Sequence, residues 1–396
     1  MTLVGKTIGI LGGGQLGRMI ILEGRKMGLR FITLDPAKDC PAAQVADEHI
    51  VAGFDDLEAA TILGEKTDII LYEFENIDIN LVRELEKSYR IPQSSRLLEI
   101  TGNRLLEKQA LTDAGVRVAP YQAIETHADM RSAWHSFSAP AILKTVRGGY
   151  DGKGQWRIHT SEEMSGLPHS LFGEDHTYIM EQYIPFRSEI SVIVSRGLSG
   201  EMKVFPPALN VHRNHILHLS IAPAPLKDHV IEQAEQMARQ IASYLNLVGI
   251  LAIEMFVLED DTILVNELAP RPHNSGHYTY DACRTSQFEQ VIRAVTGMVL
   301  GQVMMHESAL MVNVLGEHTD QLKEKMNTLP TTAKLHWYGK SEAKKGRKMG
   351  HLTFVGDSID GLISQMEQIA IWPQLTNKEK QQIGILSNRN EVKVGN

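Results

Sequence analysis

A predicted hairpin of two apolar strands, each carrying one glutamate, constrains the fold of this chain more than any other feature. Residues 251–256 form one apolar segment that contains Glu254, and a second apolar segment, 262–265, runs into Glu267. The acidic residues 259–261 lie between the two segments and are typical of a turn. If that turn is centred on its two aspartates, the two glutamates lie opposite each other on one side of an antiparallel ladder.

The two opposed glutamates, Glu254 and Glu267, predict a metal site. Two carboxylates held that close repel each other unless a cation lies between them. Mg²⁺ that is shared with substrate phosphates takes oxygen ligands of this kind. The alternative is one solvated glutamate on the outer face of a hairpin with a chance partner. A proline-rich loop follows directly, and its polar side chains are Arg271, His273, Asn274 and His277.

The N-terminal residues predict a parallel α/β unit. The apolar strand 6–11 ends in a glycine-rich turn, after which an apolar helix and a second strand, 31–35, follow. Gly12, Gly14 and Gly17 match G-x-G-x-x-G, and the second strand ends in an aspartate near the expected acidic position. Three interpretations stay open: a dinucleotide site, a site for another phosphate-bearing ligand at a helix N-terminus, or close packing of a helix on a sheet.

A further predicted strand of this unit, 68–72, ends in two carboxylates. Glu73 and Glu75 follow the strand directly. Ligands of open α/β sheets bind at the carboxyl ends of strands, so both side chains are placed to reach one. A predicted helix, 77–87, begins just after them, and the alternative is that they are acidic residues at its N-terminus.

A glycine-rich cationic loop marks a second unit. The short apolar strand 141–144 ends in Lys144, and residues 145–155 contain four glycines together with Arg147 and Lys153. Such a loop can fold over a polyphosphate through its backbone N–H groups and its charges. The alternative is a solvated hairpin, which is less favoured because a lysine that ends an apolar strand needs an anionic partner. The Walker A pattern is absent.

From residue 187 onward the pattern changes to antiparallel strands. An amphipathic helix over 228–247 predicts cover for the core, and strands are predicted at 311–315, 334–338 and 352–355. The loop at 339–351 holds five cations interleaved with glycine and methionine. A charge run is usually a solvated face, and a loop that faces a ligand is the alternative.

Composition limits the classes of protein that fit. With 396 residues the chain is long enough for two or three domains, and its 43% apolar residues are ordinary for a globular protein. The formal net charge of −8 argues against a nucleic-acid or membrane-surface partner. Cys40 and Cys283 form no metal-binding pattern and predict reduced thiols in a cytoplasmic protein. The apolar run 8–11 is too short for a signal sequence or a membrane span.

These features together predict phosphoryl chemistry. Phosphoryl transfer needs charge neutralisation and positioning more than covalent catalysis, and the chain supplies a carboxylate pair, a strand-end lysine and a cationic glycine-rich loop. The sequence contains no nucleophile elbow and no zinc-ligand spacing. An ATP-driven ligase with an anionic acceptor therefore fits, whereas a dinucleotide oxidoreductase would explain only the first glycine motif.

The order of Lys144, the glycine-rich loop, 181–184, Glu254 and 266–267 resembles the ATP-grasp superfamily. Within that superfamily the chain resembles the N5-carboxyaminoimidazole ribonucleotide synthase family of purine biosynthesis. The blocks that carry the finer resemblance are 12–19, 72–76, 148–155, 266–277 and 348–351. Formate-dependent glycinamide ribonucleotide transformylase and biotin carboxylase are the nearest alternatives, and the loop that starts at residue 340 argues for the imidazole acceptor.

The resemblance implies an ATP-grasp fold that combines α/β and α+β architecture. It implies an N-terminal Rossmann-like parallel α/β domain at 1–117 and a small central ATP-lid domain at 118–184. A mostly antiparallel C-terminal domain with the acceptor-binding loop would occupy 185–396. No motif covers the tail after Trp372, and the resemblance assigns it no role.

The resemblance also implies a reaction. ATP and bicarbonate give carboxyphosphate and ADP, and the carboxyl group then passes to the exocyclic amine of 5-aminoimidazole ribonucleotide (AIR), either from carboxyphosphate or through CO₂. ATP and Mg²⁺ would be the cofactors, and the enzyme would be a cytoplasmic homodimer whose other partners are small molecules.

The implied site residues fall into four groups. ATP would be held by Arg104, Lys144, Tyr150, Asp151, Gly152, Lys153, Gly154, Gln155, Glu181, Gln182, Tyr183, Ile184, Glu189, His212, Asn266 and Glu267. AIR would be held by Gln15, Leu16, Glu73, Tyr150, Asp151, Arg271, His273, Asn274, Lys340 and Arg347. The metal would be bound by Glu254 and Glu267. Catalysis would fall to Arg271, Glu73, Asp151, Lys340 and Arg347, and either Glu73 or Asp151 would act on the AIR amine.

Overall fold

A computed structural model describes residues 5–137, 140–148, 154–168 and 177–384. Three β-sheets organise this part of the chain: a four-stranded parallel sheet, a four-stranded antiparallel sheet and a nine-stranded antiparallel sheet. None of the helices that it contains is both long enough and apolar enough to cross a bilayer.

The N-terminal sheet is parallel and has the order β3-β2-β1-β4. Its strands are β1 (Thr7–Leu11), β2 (Arg30–Leu34), β3 (Glu48–Ile50) and β4 (Ile69–Tyr72). The helices are α1 (Gln15–Lys26), α2 (Leu57–Glu65), α3 (Ile79–Leu85), α4 (Ser95–Thr101) and α5 (Arg104–Asp113). Because β1 and β4 are adjacent and parallel, the loop before α1 and the residues after β4 meet at one edge of the sheet.

The second sheet is small and antiparallel, with the order β5-β8-β6-β7. Its strands are β5 (Tyr121–Ile124), β6 (Ala141–Thr145), β7 (Gln155–Ile158) and β8 (Tyr178–Gln182). Helices α6 (His127–Phe137) and α7 (Ser161–Ser165) accompany it. A separate apolar core that includes Ile124, Leu143 and Met180 holds this unit together.

The largest sheet has the order β14-β13-β9-β11-β12-β15-β17-β16, with β10 paired to β9. Its strands are β9 (Ser188–Arg196), β10 (Met202–Val204), β11 (Ala208–Arg213), β12 (Ile216–Ala222), β13 (Gly249–Val257), β14 (Ile263–Ala269), β15 (Ser308–Leu315), β16 (Ala333–Trp337) and β17 (Lys348–Gly356). The helices are α8 (Asp228–Tyr244), α9 (Thr279–Ala282), α10 (Gln287–Thr296), α11 (Thr319–Lys325), α12 (Ile359–Ile369) and α13 (Asn377–Gln382). Short 3-10 turns lie at Asn274–Gly276, Gly316–His318 and Met326–Thr328.

The parallel unit is packed firmly against the large sheet. One apolar cluster contains Ile20 and Phe31 of the first unit together with Phe288 and Ile292 of α10. Gly24 lies in this contact, where an added Cβ would come within 2.2 Å of the Phe31 ring. Each large apolar side chain buried in this way contributes about 1.5–3 kcal/mol. The edge of the parallel sheet that carries Glu73 is therefore held in a fixed position relative to the large sheet.

The predicted fold class is confirmed in outline and corrected in one segment. The parallel N-terminal unit, the small antiparallel unit and the large antiparallel sheet occur in the predicted order. Residues 348–351 were predicted within a cationic loop, but they begin β17 and pair with both β15 and β16. Pairing on both sides satisfies their backbone groups, and it buries His351 completely. Cys40 and Cys283 are buried and unpaired.

Candidate active site

The predicted carboxylate hairpin exists, and its two glutamates are directly opposite. Glu254 on β13 pairs with Glu267 on β14, and the next pair along the ladder is Met255 with Val265. Asn266 is therefore an extra, bulged residue on β14. A bulge bends its strand and re-aims the neighbouring side chains, so this one sets the direction of Glu267. Glu267 is exposed, whereas Glu254 is only 13% exposed.

Burial and, after it, repulsion between carboxylates disfavour the ionised forms of two glutamates in this cluster. Burial, followed by the charges of Glu267 and Glu189, raises the pKa of Glu254 well above its usual range. Burial and the charge of Glu267 raise the pKa of Glu189 to about 8. Three carboxylates thus lie in one region, and the protonated form is favoured at Glu254 and Glu189.

His273 supports the carboxylate of Glu254. Its Nδ1 lies 2.7 Å from the Ser275 hydroxyl, which in turn accepts a hydrogen bond from the Ser191 hydroxyl at 2.7 Å. The Ser275 N–H also donates to Nδ1, at 3.4 Å, so Nδ1 is an acceptor and the proton resides on Nε2. Nε2 lies 3.4 Å from Glu254 Oε1. Burial holds the pKa of His273 well below its usual range, so the ring is neutral.

This donor set fits Mg²⁺ bound jointly with phosphate groups. Among the residues that the structure describes, no group of three or more His, Cys, Asp or Glu side chains forms a closed metal site. Mg²⁺ in phosphoryl-transfer sites usually takes only one or two carboxylates and completes its shell with phosphate oxygens and water. Glu254 and Glu267 match that requirement, and a divalent cation would also remove the repulsion between them.

The strand-end lysine of the second unit has the anionic partner that the sequence demanded. Lys144 Nζ donates to Glu181 Oε2 at 2.9 Å, and Lys108 Nζ lies 3.7 Å from Glu181 Oε1. Burial raises the pKa of Glu181, but the charges of Lys108 and Lys144 outweigh it and lower the pKa to about 2. Glu181 is therefore ionised and fixes Lys144 at the mouth of the glycine-rich loop.

The other described residues that were predicted to hold ATP lie on several elements of the small and large sheets and on α5. Arg104 donates to the carbonyl groups of Thr145 and Gly148 at 2.9 and 2.6 Å, which ties α5 to the start of the glycine-rich loop. His212 Nδ1 lies 3.5 Å from Glu189 Oε2. The remaining described members are Gly154, Gln155 at the start of β7, Gln182 at the end of β8, and Tyr183 and Ile184 after it. Four predicted members lie outside the described residues: Tyr150, Asp151, Gly152 and Lys153.

The first glycine motif receives a protein carboxylate rather than standing open for a dinucleotide. The backbone N–H groups of Gly14 and Gly17, at the start of α1, donate to the two oxygens of Glu73. A Cβ on Gly12 would come within 2.3 Å of the Glu73 side chain, so this glycine permits the close approach. Glu73 thus occupies the N–H groups that a pyrophosphate would use. Burial, only partly opposed by the two N–H donors, raises the pKa of Glu73 to about 7.

Arg271 is oriented by Glu75 in a two-point ion pair. Its Nε donates to Glu75 Oε2 at 2.7 Å and its Nη2 donates to Oε1 at 3.0 Å. Planar pairs of this kind hold the guanidinium in one orientation. The two residues are 196 positions apart, and the pair therefore joins the carboxyl end of β4 to the loop after β14. Gln93 strengthens the same junction, since its amide donates to the carbonyl groups of Tyr72 and Pro270.

The cationic loop is anchored beside the start of α1. Gln44 donates to the carbonyl of Gly339 at 2.7 Å and accepts from Arg18 at 2.9 Å. Lys340 Nζ lies 5.6 Å from the Tyr338 ring, and Arg347 donates to a carbonyl of its own loop at 2.9 Å. Gln15 and Leu16 begin α1 on the same side.

Asn274 lies deeper than the other predicted acceptor residues. Its amide exchanges two hydrogen bonds with the Asn313 amide, at 3.0 and 2.7 Å. Both residues are buried. In the described geometry the Asn274 side chain therefore braces the loop after β14 against β15.

Three contributors to the site were not among the predicted residues: Gln93, Glu107 and Lys108. Glu75 was predicted to reach a ligand because it follows a parallel strand directly, and in the structure it binds Arg271. The three missed residues lie within or next to the helices α4 and α5, where a polar residue is usually solvated. Their distant contacts distinguish them from solvated residues. Glu107 and Lys108 bind a strand more than 150 positions away in the sequence, and Gln93 binds Pro270.

Models of known protein families match most of the chain. The ribonucleotide synthetase preATP-grasp domain matches residues 5–102, and the ATP-grasp domain matches 109–288. The phosphoribosylaminoimidazole carboxylase C-terminal domain matches 309–365.

Curated relatives agree along nearly the whole length. The N5-carboxyaminoimidazole ribonucleotide synthase of Bacillus subtilis (strain 168) is 48% identical over 362 residues, which are 91% of this chain and 94% of the relative. The enzyme of the same name from Staphylococcus aureus (strain MRSA252) is 41% identical over 357 residues, covering 90% and 94%.

Solved structures give the same result. An ADP complex of N5-carboxyaminoimidazole ribonucleotide synthetase superposes with a TM-score of 0.90 at 47% identity, covering 93% of this chain and 97% of the other. The Aspergillus clavatus enzyme in complex with ADP and 5-aminoimidazole ribonucleotide superposes with a TM-score of 0.86 at 28% identity, covering 93% and 98%.

Proposed function

Because the chain belongs to the N5-carboxyaminoimidazole ribonucleotide synthase family of ATP-grasp enzymes, we propose that it carboxylates AIR with ATP in purine biosynthesis. It is an ATP-dependent ligase. The proposal extends to bicarbonate as the carbon source and to carboxyphosphate as the intermediate.

One observation carries the proposal: a single short loop links both halves of the chemistry. Glu267 lies on the β13–β14 hairpin, to which we assign the cation and the ATP phosphates, and four residues later Arg271 joins Glu75 at the edge of the parallel sheet. Glu73 lies at that same edge, against the start of α1. A phosphorylated intermediate formed at the hairpin would therefore arise next to the site for the acceptor.

The ATP side rests on cations and strand-end carboxylates. We assign the nucleotide to the cleft between the small sheet and the large sheet, where Lys144 and Arg104 face the start of the glycine-rich loop. Glu254 and Glu267 would hold Mg²⁺, which when bound neutralises charge on the transferring phosphoryl group. His273 would keep Glu254 oriented through its Nε2–H.

Arg271 would stabilise carboxyphosphate. A bicarbonate oxygen attacks the γ-phosphorus, ADP leaves, and the mixed anhydride carries negative charge that a fixed guanidinium stabilises. Glu75 orients Arg271 without needing substrate, so the charge is in place before the reaction.

The acceptor side needs a group that receives the amine proton. The AIR amine attacks the carboxyl carbon, phosphate leaves, and one N–H proton is lost. A carboxylate with a pKa near the working pH suits this task, and that of Glu73 is raised to about 7. Asp151 is the other candidate, and Lys340 and Arg347 would bind the AIR phosphate.

Three further parts of the proposal rest on family membership. We place the domain boundaries at 1–117, 118–184 and 185–396. The family also supports a homodimer located in the cytoplasm. The substrates would be small molecules only, in keeping with the net charge of −8.

The test is ADP release by the purified protein with Mg·ATP, bicarbonate and AIR. We expect release that depends on all of them, and little with glycinamide ribonucleotide plus formate in place of AIR and bicarbonate. The variant Glu267→Gln should lose activity by about 100-fold or more while keeping the wild-type circular dichroism spectrum. The matched control Glu259→Gln, in the turn of the same hairpin, should keep full activity. Release stimulated by glycinamide ribonucleotide plus formate but not by AIR would refute the proposal.

A further inference from the structure

The outer edge of β14 is covered by side chains from α5, and this contact surrounds Glu267. Lys108 Nζ donates to the Asn266 carbonyl at 2.7 Å, and Glu107 Oε2 accepts from the Leu268 N–H at 3.1 Å. The two helix residues are consecutive, and the two strand groups flank Glu267 on either side. Lys108 is 1% exposed and Glu107 is 3% exposed, so neither serves as a solvated surface charge.

The backbone of β14 needs these partners because of its place in the sheet. β14 is the terminal strand of the large sheet, so its outward N–H and C=O groups have no neighbouring strand. Asn266 is also the bulged residue, at which the ladder to β13 is interrupted. The segment after α5 continues the cover, since the Val265 N–H donates to the Arg117 carbonyl at 2.8 Å.

Lys108 also reaches the small sheet. Its Nζ lies 3.7 Å from Glu181 Oε1, while the other Glu181 oxygen accepts from Lys144 at 2.9 Å. The buried ammonium group of Lys108 thereby contacts both β14, which carries Glu267, and β8, whose Glu181 binds Lys144. A buried charge of this kind requires anionic or carbonyl partners, and both of its contacts supply them.

We propose that Glu107 and Lys108 are positioning residues that hold the bulged backbone around Glu267 and align it with the Lys144–Glu181 pair. This inference rests on the proposed function of that site as the place where ATP and its cation bind. Neither residue touches the reacting atoms. Their effect passes through the direction of the Glu267 carboxylate and through the spacing between that carboxylate and the Lys144 ammonium.

The direction of Glu267 is sensitive to small shifts. Without the Lys108 contact, the Asn266 carbonyl would lose its hydrogen-bond donor, and the backbone of the bulge would shift. A misplacement of about 1 Å at a reacting centre can lower a rate by about 100-fold. A loss of cation binding should accompany the loss of rate, because the two carboxylates must converge on one ion.

The decisive variants are Lys108→Met, Lys108→Arg and Glu107→Met. Methionine keeps the length and the helix propensity but removes the bond to Asn266 or to Leu268, and arginine restores a donor and a charge. Gln109→Met is the matched control, since Gln109 is the next residue on α5 and is exposed.

The first readout is calorimetric binding of ADP with Mg²⁺ and with EDTA. We expect Lys108→Met and Glu107→Met to reduce the gain in ADP affinity due to Mg²⁺ by about tenfold, with a smaller change in EDTA. Lys108→Arg should recover part of that gain, and Gln109→Met should match the wild type. The second readout is kcat measured as a function of Mg²⁺ concentration. In Lys108→Met and Glu107→Met the Mg²⁺ concentration that gives half-saturation should rise, while the KM for AIR stays within about twofold.

A purely structural role predicts a different pattern. It would lower the active fraction and the melting temperature without changing the Mg²⁺ half-saturation of the folded protein, and that result would overturn the inference. If Lys108→Met does not fold, Lys108→Arg and Glu107→Gln give the same comparison with smaller changes. If the wild type fails to use AIR, the proposed function fails, yet the Mg²⁺-dependent affinity for ADP still decides the positioning role.

Discussion

At the scale of single residues, the carboxylates of this site are chemically alike, but they have different partners. Glu181 lies beside two lysines, whose charges lower its pKa to about 2, whereas burial and the charge of Glu267 raise the pKa of Glu189 to about 8. Glu73 lies between these extremes, with two backbone N–H donors and a pKa of about 7. Environment rather than residue type therefore separates a fixed structural charge from a group that can exchange a proton near neutral pH.

Glu73 provides a pH prediction for catalysis. A proton acceptor must be ionised, so kcat/KM for AIR should rise as the pH increases through about 7. Glu73→Gln should lower this parameter by about 100-fold and remove the rising limb, because an amide cannot take the proton. The measurement is a rate profile between pH 5.5 and 8.5, with Glu58→Gln on the exposed face of α2 as control. A rising limb that survives in Glu73→Gln would assign proton transfer to Asp151.

Ionisation of Glu73 should favour catalysis but lower the free energy of unfolding. The folded pKa of Glu73 lies above the ordinary value of 4.5, so the folded protein retains a proton that the unfolded chain releases. This contribution to the free energy of unfolding is complete below about pH 4.5 and is lost as the pH rises through about 7. Glu73→Gln should therefore flatten the dependence of stability on pH between those values.

At the scale of elements, Glu379 both joins the last described helix to the large sheet and completes the N-terminal cap of that helix. Glu379 in α13 accepts from Arg213 Nε and Nη2 on β11, at 2.6 and 2.9 Å. It also accepts from the backbone N–H of Thr376, the N-cap of its own helix, at 2.7 Å. A helix of six residues has little stability alone, so these contacts help to hold α13 against the large sheet.

Glu379→Gln should lower the free energy of unfolding by about 1 kcal/mol at pH 7, because it removes a charged acceptor. Burial raises the pKa of Glu379, but the bonds from Arg213 and Thr376 lower it to about 2. The contribution is therefore present above about pH 4.5 and is lost as the pH falls toward 2. Urea unfolding at several pH values should show the difference from the wild type narrowing below pH 4.5. The neighbouring Lys378→Gln is the control, and an equal loss in both variants would contradict the prediction.

At the scale of the whole molecule, the candidate ATP site lies between two sheets with separate cores. A ligand that binds only the folded, closed arrangement stabilises it by mass action, by about 2.7 kcal/mol at 100 times its dissociation constant. ADP with Mg²⁺ should therefore raise the melting temperature more than ADP with EDTA. Lys144→Met should abolish the extra rise, whereas Lys334→Met, at an exposed position on β16, should retain it. Equal shifts with and without Mg²⁺ would argue against the carboxylate pair as a cation site.

The sequence by itself determined the local parts of this protein. Two apolar segments and an acidic turn predicted the hairpin that carries Glu254 and Glu267, because both signals are local. The pairs nearest the turn, such as Val257 with Ile263, are centred on Asp260, and the bulge at Asn266 then places the two glutamates opposite each other. The glycine-rich turn after β1 and the lysine near the end of β6 were also found from the sequence, since each depends on neighbours within a few positions.

Only the tertiary structure decided the contacts that complete the site. Glu75 meets Arg271 across 196 positions, and Lys108 meets Asn266 across 158. The tertiary structure also shows that the first glycine motif binds the Glu73 carboxylate. Residues 348–351, which were predicted as part of a loop, belong to a strand that is paired on both sides. Such partners belong to elements that only the packing of the sheets brings together. A buried charge or a strand edge must be satisfied by whatever group the fold places beside it, and the local sequence does not specify that group.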